Sequence, residues 1–362
     1  MTNYKTNENV FKSVLTRKTT AFAVISVLFV SFFAGNLITT PAMADNGNSA
    51  NAGVSTGANV NASNNGIGAN ANANANANTN TGTHEKQAAR QTLKQTLQQD
   101  QLTYKQAVQQ ADVTYKQAVQ QAQLTHTQAV QDANNAYNQA VQQARTTYND
   151  AIKNAHGSAT IIGPAMATRD QAIVTAQTTK TNAIVSADVT RDKAVNDAWL
   201  AHQTTVYNSL ATRDGADGTA QATFYTAIGN ATLATRAQTI GQAHVTADNA
   251  ILQARQTRIT AVETADVTKD QALGTAETTY ISGEGSAKVT VDNAYTSNGK
   301  SWNAALQAYW TSVAPLDQTK DNSIAQANAA QTTAIGNADG ARDQAIDQAY
   351  ATMYGSISAA YS

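Results

Sequence analysis

Cysteine is absent from all 362 residues. Disulfides, thiolate zinc sites, a cysteine nucleophile and a lipobox-type lipid anchor are therefore excluded. Charge is scarce: 14% of residues are charged, against about 25% in an ordinary soluble domain. Aromatic residues make up 6%, and most of them are Tyr (13, with 6 Phe and 3 Trp), so large apolar anchors for a globular core are few. Proline occurs only three times. The formal net charge of −1 leaves no electrostatic footprint for nucleic acid.

What is present begins with an address. Lys5, Lys12, Arg17 and Lys18 form a positive head, and an apolar run follows from Ala21 to Ile38. The run closes on Pro41-Ala42-Met43-Ala44, the small-x-small arrangement that a signal peptidase accepts, with Ala42 and Ala44 at the cleavage site. Residues 1–44 are expected to be a signal peptide, and the mature chain to begin at Asp45. Removing the four basic residues and Glu8 leaves 20 basic against 24 acidic residues, a net charge of −4. An uncleaved anchor is the alternative, since about 18 apolar residues also span a bilayer. Past this run no segment is apolar enough to cross a membrane.

Residues 45–83 are almost entirely Asn, Ala, Gly, Ser and Thr, ending in the ANANANANTNT alternation from Ala71. Nothing there offsets the conformational entropy of ordering, so this stretch reads as a disordered linker.

From about His84 to Tyr361 the chain repeats every eleven residues. TYKQAVQQAQL from Thr114, THTQAVQDANN from Thr125 and AYNQAVQQART from Ala136 are the cleanest copies. An apolar marker runs through Leu97, Val108, Val119, Val130, Val141 and Ile152, then Ile173, Ile184, Val195, Val206 and Ile228. It resets at Ile240, Ile251, Val262 and Leu273, and a last phase holds Ile324, Ile335, Ile346 and Ile357. Eleven residues are three helical turns at about 3.67 residues per turn, the period of right-handed supercoils. With Tyr115 at position a, Ala118, Val119 and Ala122 fall at d, e and h on one stripe. Alternation with period two is missing, so the reading is all-α. Long helices are expected to form a right-handed or nearly straight coiled coil, or an antiparallel helical array.

The stripe is thin. Two of its four positions are mostly Ala, and a is often Arg or Lys (Arg169, Lys180, Arg191, Arg213, Lys269), whose stems can lie on apolar surface. One buried Val or Ile per repeat contributes roughly 1.5–3 kcal/mol, while ordering each residue costs about 1–2 kcal/mol. Partner helices are required, from the same chain or from other copies. The packing stripe comprises Val108, Val119, Val130, Val141, Ile152, Ile184, Val195, Ile251, Val262 and Leu273.

Reversals are expected where phase slips beside Gly or Pro: residues 157–163 and 314–315. That leaves arms at 84–156, 164–313 and 316–362. The glycine-rich segments 214–218 and 282–286, and Ser297-Asn298-Gly299, keep the eleven-residue count and read as weak or kinked helix.

This pattern resembles the hendecad-repeat coiled-coil proteins over about three quarters of the chain, which implies architecture but no activity. The Thr/Ala-rich eleven-residue period is also similar to the late embryogenesis abundant repeats.

Motifs that carry chemistry are weak. Residues Ala294 to Ser301 approximate a phosphate loop, yet a helical repeat precedes them instead of a strand. The five histidines (His84, His126, His156, His202, His244) lack metal-ligand spacing. His126 and His202 occupy position a, so they read as seam residues. Asp214 and Asp217 lack the alternating oxygen ligands of a calcium loop, and no G-x-S-x-G occurs. No catalytic, cofactor or metal residue is nominated, and no enzyme is expected.

Threonine is the other regularity. Thr103, Thr114, Thr125, Thr257 and Thr268 each stand one residue before position a, where the hydroxyl can bond the preceding turn. With Ala at four and eight positions on, that face is similar to the ice-binding face of the alanine-rich type I antifreeze helices. The resemblance implies a surface-binding face. Taken together, the residues predict an exported, non-enzymatic structural spacer or assembly element of the cell envelope or extracellular layer. Its expected partners are itself or other envelope proteins, without nucleic acid and without membrane after processing. A stress protein that binds ice or protects against desiccation is the alternative.

Overall fold

A computed structural model of the chain describes residues 80–295 and 299–362, with the side chains of 84–295 and 302–362. The signal segment 1–44, with its cleavage residues Ala42 and Ala44, and the linker up to residue 79 lie outside the described residues.

Four helices make up the described chain: α1 (Asn80–Ala155), α2 (Ala159–Ala227), α3 (Ala231–Ala294) and α4 (Gly299–Tyr361). The protein is all-α, and the described residues contain no strand. At about 1.5 Å per residue, helices of 63–76 residues are roughly 95–115 Å long.

The links are short because the chain ends each helix abruptly. After α1, His156 and Gly157 both take positive φ (46° and 84°), and the Ser158 N–H donates to the Ala155 carbonyl at 2.8 Å. After α2, Gly229 sits at φ 79° and its N–H donates to Thr226 O, while the Asn230 N–H donates to Tyr225 O. That pair of bonds caps the last carbonyls with a left-handed glycine. Asn230 then caps α3, its side-chain oxygen accepting from the Leu233 N–H at 3.0 Å.

Each helix packs only on its neighbour in sequence: α1 on α2, α2 on α3, α3 on α4. Tyr104 meets Arg213 and Tyr148 meets Arg169; Gly218 meets Gly241 and Val174 meets Gly285; Arg236 meets Tyr361 and Tyr280 meets Lys320. Every adjacent pair is therefore antiparallel, and the four form an open single layer. The tightest line on α1 is Ala111, Ala122, Ala133, Ala144 and Ala155, all buried at eleven-residue intervals. The marker residues Val108, Val119, Val130, Val141, Ile152, Ile184, Val195, Val262 and Leu273 flank the seams half-buried, and Ile251 is buried. Small residues let the backbones approach, and the larger aliphatics close the sides.

The reversals differ from those expected. The first turn is at His156–Ser158, and residues 159–163 already belong to α2. No turn occurs at 314–315: α4 runs through Pro315. Val313 packs with Val291 and Tyr309 before that proline, and Leu316 lies over Gly283 just after it. Tertiary contact on both sides outweighs the cost of about 3 kcal/mol for an interior proline. The chain instead reverses at Gly229-Asn230 and between Ala294 and Gly299. Across the second of these Tyr295 and Trp302 meet at 5.5 Å, and Trp302 and Leu306 pack on the Val291, Tyr309 and Val313 cluster. Segments 214–218 and 282–286 are unbroken helix, and their glycines serve close approach between helices.

Candidate functional site

Position a of the repeat builds the seam between α1 and α2. Five rungs cross it at eleven-residue steps. Arg213 lies over the Tyr104 ring (4.9 Å to its centre), Lys180 over Tyr137 (5.1 Å) and Arg169 over Tyr148 (4.6 Å). Tyr115 meets His202 at 5.7 Å between ring centres, and an Arg191 guanidinium nitrogen is 3.5 Å from His126 Nε2. Cations on aromatic faces are worth about 0.5–2 kcal/mol each. The basic stems expected to lie on apolar surface lie, in three of the five rungs, on tyrosine rings.

Both seam histidines are held by acids of the facing helix. His126 is buried, with Nε2 2.8 Å from Asp188 Oδ1. His202 Nε2 is 2.7 Å from Asp112 Oδ1, and its ring stacks on Trp199 at 5.1 Å. Among the described residues no group of three or more His, Asp or Glu is placed to hold a metal.

The acids are where the structure exceeds the sequence reading. Asp170, Asp192 and Asp214 follow the rung arginines Arg169, Arg191 and Arg213, each bonded to its neighbour: 2.6 Å, 2.7 Å and 2.8 Å from the guanidinium Nε. Across the α2–α3 seam they face Asp292, Asp270 and Asp248. Burial, and then the Asp214 carboxyl, push Asp248 up to about 7. Burial raises Asp270, with Asp192 and Asp188 adding to it, and burial raises Asp292 beside Asp170. Burial would raise Asp170 too, but the Arg169 hydrogen bond and the Lys288 ammonium, 2.9 Å away, hold it below the usual carboxylate range. On the α1–α2 side, burial and the Asp100 carboxyl push Asp217 up to about 6, the partly counteracting charge being Arg213. The signal was visible as Arg-Asp at 169–170, 191–192 and 213–214, and as Asp248, Asp270 and Asp292, both at steps of 22. The acids stand beside position a and carry no apolar signal, which hid it.

The threonines are placed differently from the alanines they were grouped with. Thr103, Thr114, Thr125, Thr257 and Thr268 are all exposed, whereas Ala111 and Ala122 are buried in the seam. Thr114, Thr257 and Thr268 donate their hydroxyls to the carbonyl four residues back, at 2.7–3.0 Å. Thr103 and Thr125 accept from Gln99 and Gln121 at 3.4 Å. Thr257 lines an open groove of about 1020 Å³ between α3 and α4, and Thr268 lines a second, of about 630 Å³, further along those helices. Both grooves are walled mainly by Ala, Thr and Gln. The phosphate-loop candidate follows helix α3, and Gly299 opens α4, so no strand feeds it.

No protein-family model matches the chain, and no curated protein or solved structure is significantly similar to it. No described helix is long and apolar enough to cross a membrane.

Proposed function

We propose that the chain is an exported, non-enzymatic structural protein, a stiff spacer or assembly element of the cell envelope or extracellular layer. One observation carries the reading: the α1–α2 seam repeats every eleven residues and the α2–α3 seam every 22, along helices about 100 Å long. A repeated seam sets length and flatness, and each rung adds a similar increment of stability. Catalysis would instead call for one concave place where different reactive groups converge. The leader-like residues 1–44 support export, and the Asn/Ala-rich stretch after them supports a tether.

Fractionation with N-terminal sequencing tests the address: a soluble exported form beginning at Asp45 is expected, and Met1 retained on a membrane-bound form overturns it. Sedimentation and small-angle scattering of 45–362 test the spacer, for which an elongated helical particle is expected. A compact particle with substantial sheet ends that reading.

A second reading, binding to a lattice such as ice, is favoured by the exposure of Thr103, Thr114, Thr125, Thr257 and Thr268. Where hydroxyls turn back onto the helix, methyl groups are left outward. Thermal hysteresis and ice-recrystallisation assays decide it. Activity lost on changing Thr103, Thr114 and Thr125 to Lys with helicity kept supports it; unaltered ice growth at high protein concentration ends it.

A further inference from the structure

The α2–α3 seam carries an arrangement that a spacer does not need. Asp170, Asp192 and Asp214 are 22 residues apart on α2, and Asp248, Asp270 and Asp292 are 22 apart on α3. Antiparallel packing brings them together as 170/292, 192/270 and 214/248, three like-charged pairs about 33 Å apart along the seam. Asp170, Asp192, Asp248 and Asp292 are buried. The Oδ2 atoms of Asp192, Asp248, Asp270 and Asp292 are buried with no hydrogen-bond partner, and the opposing carboxyls of Asp214, Asp192 and Asp170 act directly on Asp248, Asp270 and Asp292. Two buried carboxylates side by side cannot both ionise without strong repulsion, whereas one carboxylic acid donating to one carboxylate is a short, charge-assisted hydrogen bond.

We propose that the α2–α3 seam is a proton-held joint: each of its three carboxyl pairs keeps one proton, and loss of those protons separates the α1–α2 hairpin from the α3–α4 hairpin while each hairpin stays paired.

The surrounding charges support this division. Asp292 faces Asp170 and Arg169 from α2, with Lys288 on its own helix. Asp270 faces Asp192 and Asp188 from α2, with Lys269 beside it. Asp248 faces Asp214 and Arg213 from α2, and Tyr104 of α1 senses both acids. Of the α4 groups that reach α3, Lys320 pairs with Glu277, Asp339 with Arg258, Asp317 bonds Tyr280 and Tyr309 donates to Glu284. Gln331 donates to Asp266, a buried α3 acid that also faces Asp192 of α2. The outer seams carry pairs of opposite sign and cation–ring contacts, such as Arg258 with Asp339, Lys320 with Tyr280 and Arg213 with Tyr104, and the α3–α4 seam also sets Glu284 and Asp317 around Tyr280. The α1–α2 seam has one acid pair of its own, Asp100 with Asp217, among five rungs.

The sign follows from proton linkage. Carboxyls raised in the folded chain bind a proton that the unfolded chain has already released. Their stabilisation is complete below the ordinary carboxylate range and is lost as pH rises through the folded values. For Asp248 that loss begins above its ordinary value of 3.8 and is complete near pH 7, where the folded carboxyl titrates.

The absence of cysteine makes the test direct. Spin labels on Thr190→Cys and Thr268→Cys report across the α2–α3 seam, and labels on Thr125→Cys and Thr190→Cys report within the α1–α2 hairpin. All of these threonines are exposed. In the full chain at pH 5 both distances are expected to be short and narrow. At pH 9 the seam distance is expected to lengthen and broaden while the hairpin distance holds. The variant Asp248→Asn/Asp270→Asn/Asp292→Asn, whose amides keep the hydrogen bond without a dissociable proton, is expected to hold the seam closed at pH 9. A seam distance unaffected by pH overturns the proposal, as does equal widening of both distances. Should the triple variant lose helicity, each single Asn variant is expected to cut the pH dependence of the thermal midpoint by about a third; midpoints that track the parent at every pH overturn it equally.

Discussion

Replacing Gly218 with Ala probes the closest backbone contact in the layer. A methyl group at Gly218 would stand 2.8 Å from Gly241 Cα and 3.2 Å from the Ala237 carbonyl oxygen, and one at Gly241 would stand 2.9 Å from Gly218 Cα. Ordinary carbon contacts begin near 3.4 Å, so α2 and α3 would have to part by about 0.6 Å, and backbone cannot yield as a flexible side chain can. Overpacking of this kind costs about 1–3 kcal/mol. Ala also gains roughly 0.5–1 kcal/mol over Gly within a helix. The net expectation for Gly218→Ala is a loss of about 0.5–2 kcal/mol. Gly336 and Gly340 of α4 are the internal reference, since a methyl at either meets nothing within 4 Å. Ala there is expected to gain about 0.5–1 kcal/mol each. The assay is thermal unfolding of 45–362 followed by circular dichroism, where each kcal/mol moves the midpoint by about 2–4 °C. Gly218→Ala should lower the midpoint and Gly336→Ala should raise it. If Gly218→Ala raises the midpoint as much as Gly336→Ala does, the close approach of α2 and α3 is refuted.

Four further outcomes are expected. Pro315→Ala should stabilise α4 by up to about 3 kcal/mol, because the helix continues through an exposed proline that removes a backbone donor; a lower unfolding midpoint would contradict a continuous helix. Arg191→Ala should cost about 3–5 kcal/mol in urea unfolding, since it strips the cation from Asp188 at 3.0 Å and Asp192 at 2.7 Å. Val119→Asp with Val130→Asp should reduce helicity by circular dichroism, each placing a charge at a half-buried seam position. Asp217→Asn should flatten the fall in stability between pH 4 and pH 7, because the raised Asp217 carboxyl favours the fold only while protonated. Urea midpoints measured across that range would show an unaltered slope if Asp217 were solvated.

The all-α class was legible in the eleven-residue spacing of Val108, Val119 and Val130, because periodicity depends on local helical geometry alone. His126 and His202 were legible as seam residues for the same reason: position a is a place on a helix face. The first reversal was also legible within a few residues, since His156-Gly157 combines a glycine with a phase slip. Gly229-Asn230 was missed because the repeat resumes after one extra residue and no proline marks it. Pro315 was over-read because the intrinsic cost of a proline carries no information about what packs on either side.

Sequence alone determined which residues share a helix face, at what interval, and that the face is too thin for a helix to stand unaided. Only the tertiary structure decided which faces meet. The antiparallel fold aligns Tyr104 with Arg213 and Asp248 with Asp214, residues 109 and 34 apart in the chain. The pairing of acid with acid could not be read from residue type, because an aspartate has no intrinsic reason to be buried. Its environment is set by the helix opposite, and that helix is chosen by where the turns fall.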